Sequence, residues 1–210
     1  MHTKAPICIS VSAILTLLHH TNNMNLALLP VLIVALAYLF RLKEVLAKRD
    51  VVSGPQQEKL TFALFTLAVT VMCVGGSIEY LLSNFYPSIP QILAGTLVVV
   101  ASFVLRAACI RSLGKFWSLH VEMREGHEFV KTGPFRWMRH PVYFSMILEL
   151  AGPAIVLGAW HAFIPAIVLF AVALSMRLGL EEPALIAKFG EAYVAYMKAT
   201  PSFIPYRIPR

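Results

Sequence analysis

The chain has 210 residues, of which 58% are hydrophobic and only 14% are charged, and its mean hydropathy is +0.71. A soluble domain of this size usually carries about a quarter charged residues, so the composition excludes an ordinary soluble protein. The net charge of +7 does not indicate nucleic acid, because Lys and Arg concentrate in alternate loops between apolar runs, as membrane topology requires. We expect membrane lipids as the anionic partner and no nucleic acid.

Apolar runs of the right length predict an all-α fold, a polytopic bundle of about five transmembrane helices. A helix needs about 20 apolar residues to cross the bilayer core, and the predicted spans cover residues 24–40, 60–82, 89–110, 142–157 and 163–178. Only a few residues separate the last two, which predicts an antiparallel helical hairpin. Pro153 is expected to kink or end the first helix of that hairpin. Gly75, Gly76 and Gly95 indicate close helix packing.

The N-terminal segment 1–23 leaves several interpretations open. Its apolar part, 5–18, is short, and it is compatible with an extra short span, an interfacial helix or a signal-like segment. The predicted organisation is therefore this segment, transmembrane helices within 24–110, and a C-terminal region 111–210 that contains the hairpin 142–178.

Loop charge predicts the orientation. The segments 41–59 and 111–140 are rich in Lys and Arg, whereas 83–88 and the hairpin tip contain neither. The positive-inside rule places both basic segments and the C-terminus in the cytoplasm. The chain is thus predicted to be a multi-pass membrane protein.

Besides Arg177, three charged residues fall within the predicted spans. Glu149 is costly at that depth, so we expect it to be protonated or paired with a polar group on another helix, or else to line a substrate channel. Arg106 and Glu79 are expected to reach the headgroup layer from the ends of their helices. The three cysteines have no paired spacing, so we expect inert packing and no metal site.

The stretch 112–140 is the least apolar part of the C-terminal half, and it leads into the fourth span. Pro141 suits the first turn of that helix, whose free N–H groups and positive dipole end can receive an anion. His140 stands beside that position, and Tyr143 follows about one turn further in. The alternative is an interfacial belt in which Trp117 and Trp137 merely anchor the helix end.

A second polar cluster, Arg177, Glu181 and Glu182, ends the fifth span. Arg177 and Glu181 are four residues apart on one helical face and can pair. The alternative is that Arg177 reaches the headgroups and the glutamates are solvated. Both clusters lie at the same end of one hairpin, which favours a shared site.

These residues carry a family resemblance over about residues 105–205. The runs are His127-Glu128-Phe129-Val130, Gly133-Pro134-Phe135, Arg139-His140-Pro141-Val142-Tyr143, Arg177-x-x-x-Glu181-Glu182, Phe189-Gly190-Glu191-x-Tyr193-x-x-Tyr196 and Ile204-Pro205. In this order and spacing they resemble the isoprenylcysteine carboxyl methyltransferase family, a group of membrane-integral methyltransferases related to phospholipid methyltransferases.

The resemblance implies S-adenosyl-L-methionine as the cofactor, bound at the cytoplasmic face without a Rossmann fold. It implies that the cofactor pocket is lined by His127, Glu128, Phe129, Val130, Phe135, His140, Pro141, Val142, Tyr143 and Glu181. It also implies that Arg177 holds the substrate carboxylate and that Arg177 and Glu181 are the catalytic residues. Phe135 stands where the family usually has Tyr, which keeps a ring but loses a hydroxyl. A further contact is expected within 120–124.

The predicted function is methylation of a carboxylate on a lipid-linked substrate such as isoprenylcysteine. A phospholipid amine N-methyltransferase is the nearest alternative, although Arg177 would be an awkward neighbour for an amine. A small transporter or a non-enzymatic partner protein is the alternative from another class. The natural acceptor and the oligomeric state stay open.

Overall fold

The computed structural model describes residues 11–46, 56–83, 85–114 and 129–204. Seven α-helices follow in chain order: α1 Val11–Leu46, α2 Gln56–Thr70, α3 Gly76–Leu82, α4 Ile89–Leu113, α5 Pro141–Leu157, α6 Trp160–Phe189 and α7 Glu191–Ala199. A π-helical segment, Val71–Gly75, joins α2 to α3, and a 3₁₀ turn, Gly133–Arg136, precedes α5. The described residues contain no strand, so the predicted all-α class is confirmed.

Within the described residues, three helical segments are long and apolar enough to cross a membrane: Lys59–Leu82, Ile89–Leu113 and Trp160–Phe189. They correspond to the second, third and fifth predicted spans. The fourth is α5, an apolar helix of 17 residues. The first lies inside α1, which already begins at Val11 and passes the predicted start at Met24 without a break. Apolar side chains such as Leu36, Leu97 and Val168 face outward, as helices do when lipid surrounds them.

The predicted hairpin is formed by α5 and α6. Gly158 makes the turn with a φ of +66°, a left-handed conformation that favours glycine. A Cβ there would also lie 2.4 Å from the ring of Phe85. Pro153 does not end α5, which continues to Leu157. Beyond the predicted end at Leu178, α6 continues to Phe189.

Glycines bring α4 and α5 into backbone contact. A Cβ on Gly95 would lie 2.7 Å from the backbone nitrogen of Val156, and one on Gly152 would lie 3.0 Å from that of Val99. The close packing expected at Gly95 is therefore present. The buried core beside this pair is made by Met72, Leu150, Ala154 and Phe170 among others.

The charged residues of the predicted spans are paired inside the protein, as expected for Glu149 but not for Arg106. Arg106 does not reach the headgroup layer, since it is buried and its Nε lies 2.9 Å from a carboxylate oxygen of Glu44. Arg41, counted above with a basic loop, lies within α1 and pairs with Glu149 at 3.2 Å. The pairing expected of Glu149 is thus observed. Glu79 accepts hydrogen bonds from the backbone N–H groups of His161 and Ala162, at 3.3 and 2.8 Å.

Candidate active site

The site begins where α5 begins. His140 precedes Pro141, which occupies the first turn of α5. The chain that follows α7 returns beside it, because the backbone N–H of Arg139 donates to the carbonyl of Pro201 at 2.8 Å and that of His140 donates to the carbonyl of Ser202 at 3.0 Å. These two backbone hydrogen bonds therefore hold residues 139–140 next to residues 201–202, which are distant in the sequence.

Glu182 on α6 connects the two sides of the site. Its Oε1 lies 3.0 Å from Nε2 of His140 and 3.2 Å from Nη2 of Arg139. Arg139 also donates to the side chain of Ser202. His140 is 4% exposed, whereas the side chain of Glu182 keeps 24% of its surface. The imidazole is thus held from one side, and the carboxylate remains partly open to a ligand.

Tyr143 links Arg177 to Glu181. Its hydroxyl donates to Oε2 of Glu181 at 2.6 Å and accepts from Nε of Arg177 at 3.2 Å. The expected proximity of Arg177 and Glu181 is therefore realised through the hydroxyl of a third residue. Arg177 is only 6% exposed, and a charge at this depth normally faces a protein interior or a wet cavity. The ring of Tyr143 stacks on Phe65 of α2, with centroids 6.0 Å apart.

Aromatic rings close the other side of the site. Phe129 packs between rings of α6 and α7, with centroid distances of 5.3 Å to Phe189, 5.5 Å to Tyr193 and 5.3 Å to Tyr196. The hydroxyl of Tyr196 donates to the carbonyl of Phe135 at 2.6 Å. Burial raises the pKa of Tyr196 to about 12, so this phenol stays protonated as a donor at neutral pH.

The structure brings most of the predicted site residues to one end of the α5–α6 hairpin. Phe129, Phe135, His140, Pro141, Tyr143, Arg177 and Glu181 lie there in the contacts just described. Val130 and Val142 are half-buried neighbours in the same segments. His127, Glu128 and the stretch 120–124 lie outside the described residues. That these side chains bind a cofactor stays a prediction.

Sequence reasoning gave no site role to several residues that the structure places here. Arg139 and Glu182 stood inside the quoted motifs, and their charges next to assigned residues were a usable signal. Tyr196 also stood in a motif. Phe65 could not be predicted, because an aromatic residue in a predicted span is equally compatible with the protein core and with the lipid-facing surface. Ser202 contributes its backbone carbonyl and its hydroxyl, and no local pattern reveals that this distant segment returns to the start of α5.

The bundle contains several helices that are long and apolar enough to cross a membrane, so the protein is an integral membrane protein. Buried and half-buried charged side chains form a polar site at one end of its α5–α6 hairpin. Residues 94–187 match the family model described as the isoprenylcysteine carboxyl methyltransferase (ICMT) family. The match falls within the part of the chain that carries the resemblance seen in the sequence, and it confirms that resemblance.

Individual relatives agree with the family match. The chain is 29% identical over 160 residues to the human protein-S-isoprenylcysteine O-methyltransferase, an alignment that covers 67% of this chain and 52% of the human protein. It is 28% identical over 129 residues to the protein of the same name from Schizosaccharomyces pombe, covering 59% and 53%. It is 34% identical over 107 residues to the uncharacterized protein YpbQ of Bacillus subtilis, covering 51% and 63%. The chain thus spans between half and two thirds of the length of these relatives.

Proposed function

We propose that this protein is an integral membrane methyltransferase that uses S-adenosyl-L-methionine to methylate a carboxylate on a lipid-linked substrate, such as an isoprenylcysteine. The observation that carries the proposal is the buried guanidinium of Arg177, held by the Tyr143 hydroxyl beside Glu181. Arg177 lies within the family-matched region, and two of the three relatives described above carry the name protein-S-isoprenylcysteine O-methyltransferase.

The residues present suit a cofactor with an amino-acid end. The first-turn N–H groups of α5 and the neighbouring His140 can receive its carboxylate, and the carboxylates of Glu181 and Glu182 can receive its ammonium group and hydroxyls. Within the described part of the chain, Nε of Arg139 is buried and has no hydrogen-bond partner. A buried donor left without a partner is costly, so a polar ligand group beside it would be stabilising.

The chemistry asks little more of the protein than orientation and charge. When bound, S-adenosyl-L-methionine supplies an electrophilic methyl group on a sulfonium sulfur. An ionised carboxylate is already a nucleophile, so the protein does not need to remove a proton from the substrate. Arg177 would grip that carboxylate through its guanidinium, and Tyr143 would fix the guanidinium in one orientation. An amine acceptor would need deprotonation beside the positive charge of Arg177, which disfavours the phospholipid alternative.

The proposed catalytic region is 111–210, with the hairpin 142–178 in the membrane and the site at the cytoplasmic face. The abundance of Lys and Arg in 41–59 and 111–140 supports this orientation. A lipid-linked substrate would then enter sideways between helices, while the cofactor would arrive from the water on the same side. We propose lipophilic substrates and membrane lipids as the partners.

The test is cofactor binding by the purified full chain in detergent, measured by calorimetry with S-adenosyl-L-methionine. The parent protein is expected to bind, and His140→Ala and Glu181→Ala are expected to weaken binding at least about tenfold, the loss of one charge-assisted contact. His161→Ala is the matched control, since that side chain is 94% exposed at the other end of the hairpin. A parent protein that does not bind would refute the proposal.

A further inference from the structure

A buried charge network lies away from the site, between α1, α4 and α5. We use this name for Arg41 and Glu44 of α1, Arg106 of α4 and Glu149 of α5. Arg41 lies 2.9 Å from Glu44 and 3.2 Å from Glu149, and Nε of Arg106 lies 2.9 and 3.0 Å from the two oxygens of Glu44. The side chains of Arg41, Glu44, Arg106 and Glu149 expose 9%, 15%, 4% and 8% of their surface.

The network is balanced in charge and lies below the end of the bundle that holds the site. Two guanidinium groups face two carboxylates, so no net charge is buried. Glu149 lies about 12 Å along α5 from Pro141, and Arg106 lies about 10 Å along α4 from Leu113, at 1.5 Å per residue. An unpaired charge at such a depth is costly. Removing one partner therefore favours a movement of helices that lets the stranded charge reach water or another partner.

The network contacts α5 where the helix lacks one backbone hydrogen bond. Pro153 lies inside α5 and has no N–H, so it cannot donate to the carbonyl of Glu149 four residues earlier. Glu149 is also about 120° around the helix from Tyr143, six residues away at 100° each. One face of α5 is thus held by Arg41 of α1, while another face carries the hydroxyl that binds Arg177 and Glu181.

We infer that Glu149 is a positioning residue for the methyl-transfer site, acting through its ion pair with Arg41. This inference rests on the proposed function. If the pair is broken, α5 rotates or shifts, and Tyr143 moves with it. The hydrogen bonds of Tyr143 are 2.6 and 3.2 Å long, and a displacement of about 1 Å at a site can lower a rate about 100-fold. By this inference α1, which lies outside the family-matched residues 94–187, is part of the catalytic unit.

The experiment compares Glu149→Gln, Arg41→Gln and the double variant with the parent protein, all as the full chain in nanodiscs. Three quantities are measured: the melting temperature, the Kd for S-adenosylhomocysteine by calorimetry, and kcat for methyl transfer to a farnesylcysteine analogue per folded molecule. Glu79→Gln is the matched control. It removes the same charge from a membrane helix, but at the opposite end of the bundle, where Glu79 contacts His161 and Ala162.

Glu149→Gln and Arg41→Gln are expected to lower kcat about 10- to 100-fold and to raise the Kd about threefold or more. Both changes remove the same ion pair, so the double variant should be no more impaired than either single variant. Glu79→Gln should lower the melting temperature but leave kcat and Kd within about twofold, because its contacts do not touch the site.

An active parent with unchanged kcat and Kd in Glu149→Gln would overturn the inference, and so would a double variant whose fold-loss is the product of the losses of the two single variants. If Glu149→Gln does not fold, Arg41→Gln and Arg41→Lys decide. Arg41→Lys keeps the positive charge and should stay closer to the parent than Arg41→Gln, whereas parental kcat in Arg41→Gln excludes action through this pair. A parent that neither binds nor transfers shows instead that the proposed function is wrong.

Discussion

Replacing Tyr143 with Phe removes one oxygen from the centre of the site and leaves the ring stacked on Phe65. That oxygen donates to Glu181 at 2.6 Å and accepts from Arg177 at 3.2 Å. A hydrogen bond to a charged group contributes about 1.5–3 kcal/mol. If one such bond orients Arg177 in the transition state, its loss lowers kcat/KM about 10- to 150-fold. The melting temperature should change little, because the buried ring is kept.

The assay is transfer of a radiolabelled methyl group from S-adenosyl-L-methionine to a farnesylcysteine analogue, with initial rates over a range of both substrates. Tyr38→Phe is the matched control: it removes a phenolic hydroxyl that lies 3.4 Å from Oγ1 of Thr70 on α2, outside the site. Tyr38→Phe should keep parental kcat/KM. A Tyr143→Phe protein that also stays within about twofold of the parent would refute the role given to the hydroxyl.

Three further predictions follow from single contacts. Glu182→Gln should weaken S-adenosylhomocysteine binding about tenfold in calorimetry, because it removes the carboxylate that contacts His140 and pairs with Arg139, and unchanged binding would contradict its place in the site. Gly152→Ala should lower the free energy of unfolding by about 1–3 kcal/mol through overpacking against α4, whereas Gly179→Ala, with nothing within 4 Å, should be neutral or stabilising in the same thermal melts. The tyrosinate absorbance lost in Tyr196→Phe should titrate near pH 12, and a midpoint near 10 would show that this phenol is not buried.

Hydropathy and proline position predicted the helices well because they depend on local sequence. The hairpin and the placement of Pro141 at the start of α5 follow from run length and from the missing N–H of proline. The end of α6 was predicted too early, at Leu178, because the apolar run stops there while the helix continues to Phe189. Polar residues such as Glu181 do not break a helix, so hydropathy marks the membrane edge rather than the helix end.

Pairing between distant residues was harder to predict. The residues around Arg41 in the sequence do not show whether its side chain faces the lipid headgroups or binds Glu149. That depends on which helix packs beside α1. The same holds for Arg106 and Glu44. In the site, the spacing of Arg177 and Glu181 predicted a shared face, but it could not predict that a hydroxyl from another helix connects them.

The central claim is that the site around Arg177 transfers a methyl group to a lipid-linked carboxylate. The most direct measurement offers the purified full chain a farnesylcysteine analogue and phosphatidylethanolamine in parallel, with labelled S-adenosyl-L-methionine, and tests the product for base-labile methyl ester. We expect ester on the farnesylcysteine analogue, no label on phosphatidylethanolamine, and loss of ester formation in Arg177→Ala. Label on phosphatidylethanolamine alone, or undiminished ester formation by Arg177→Ala, would contradict the central claim.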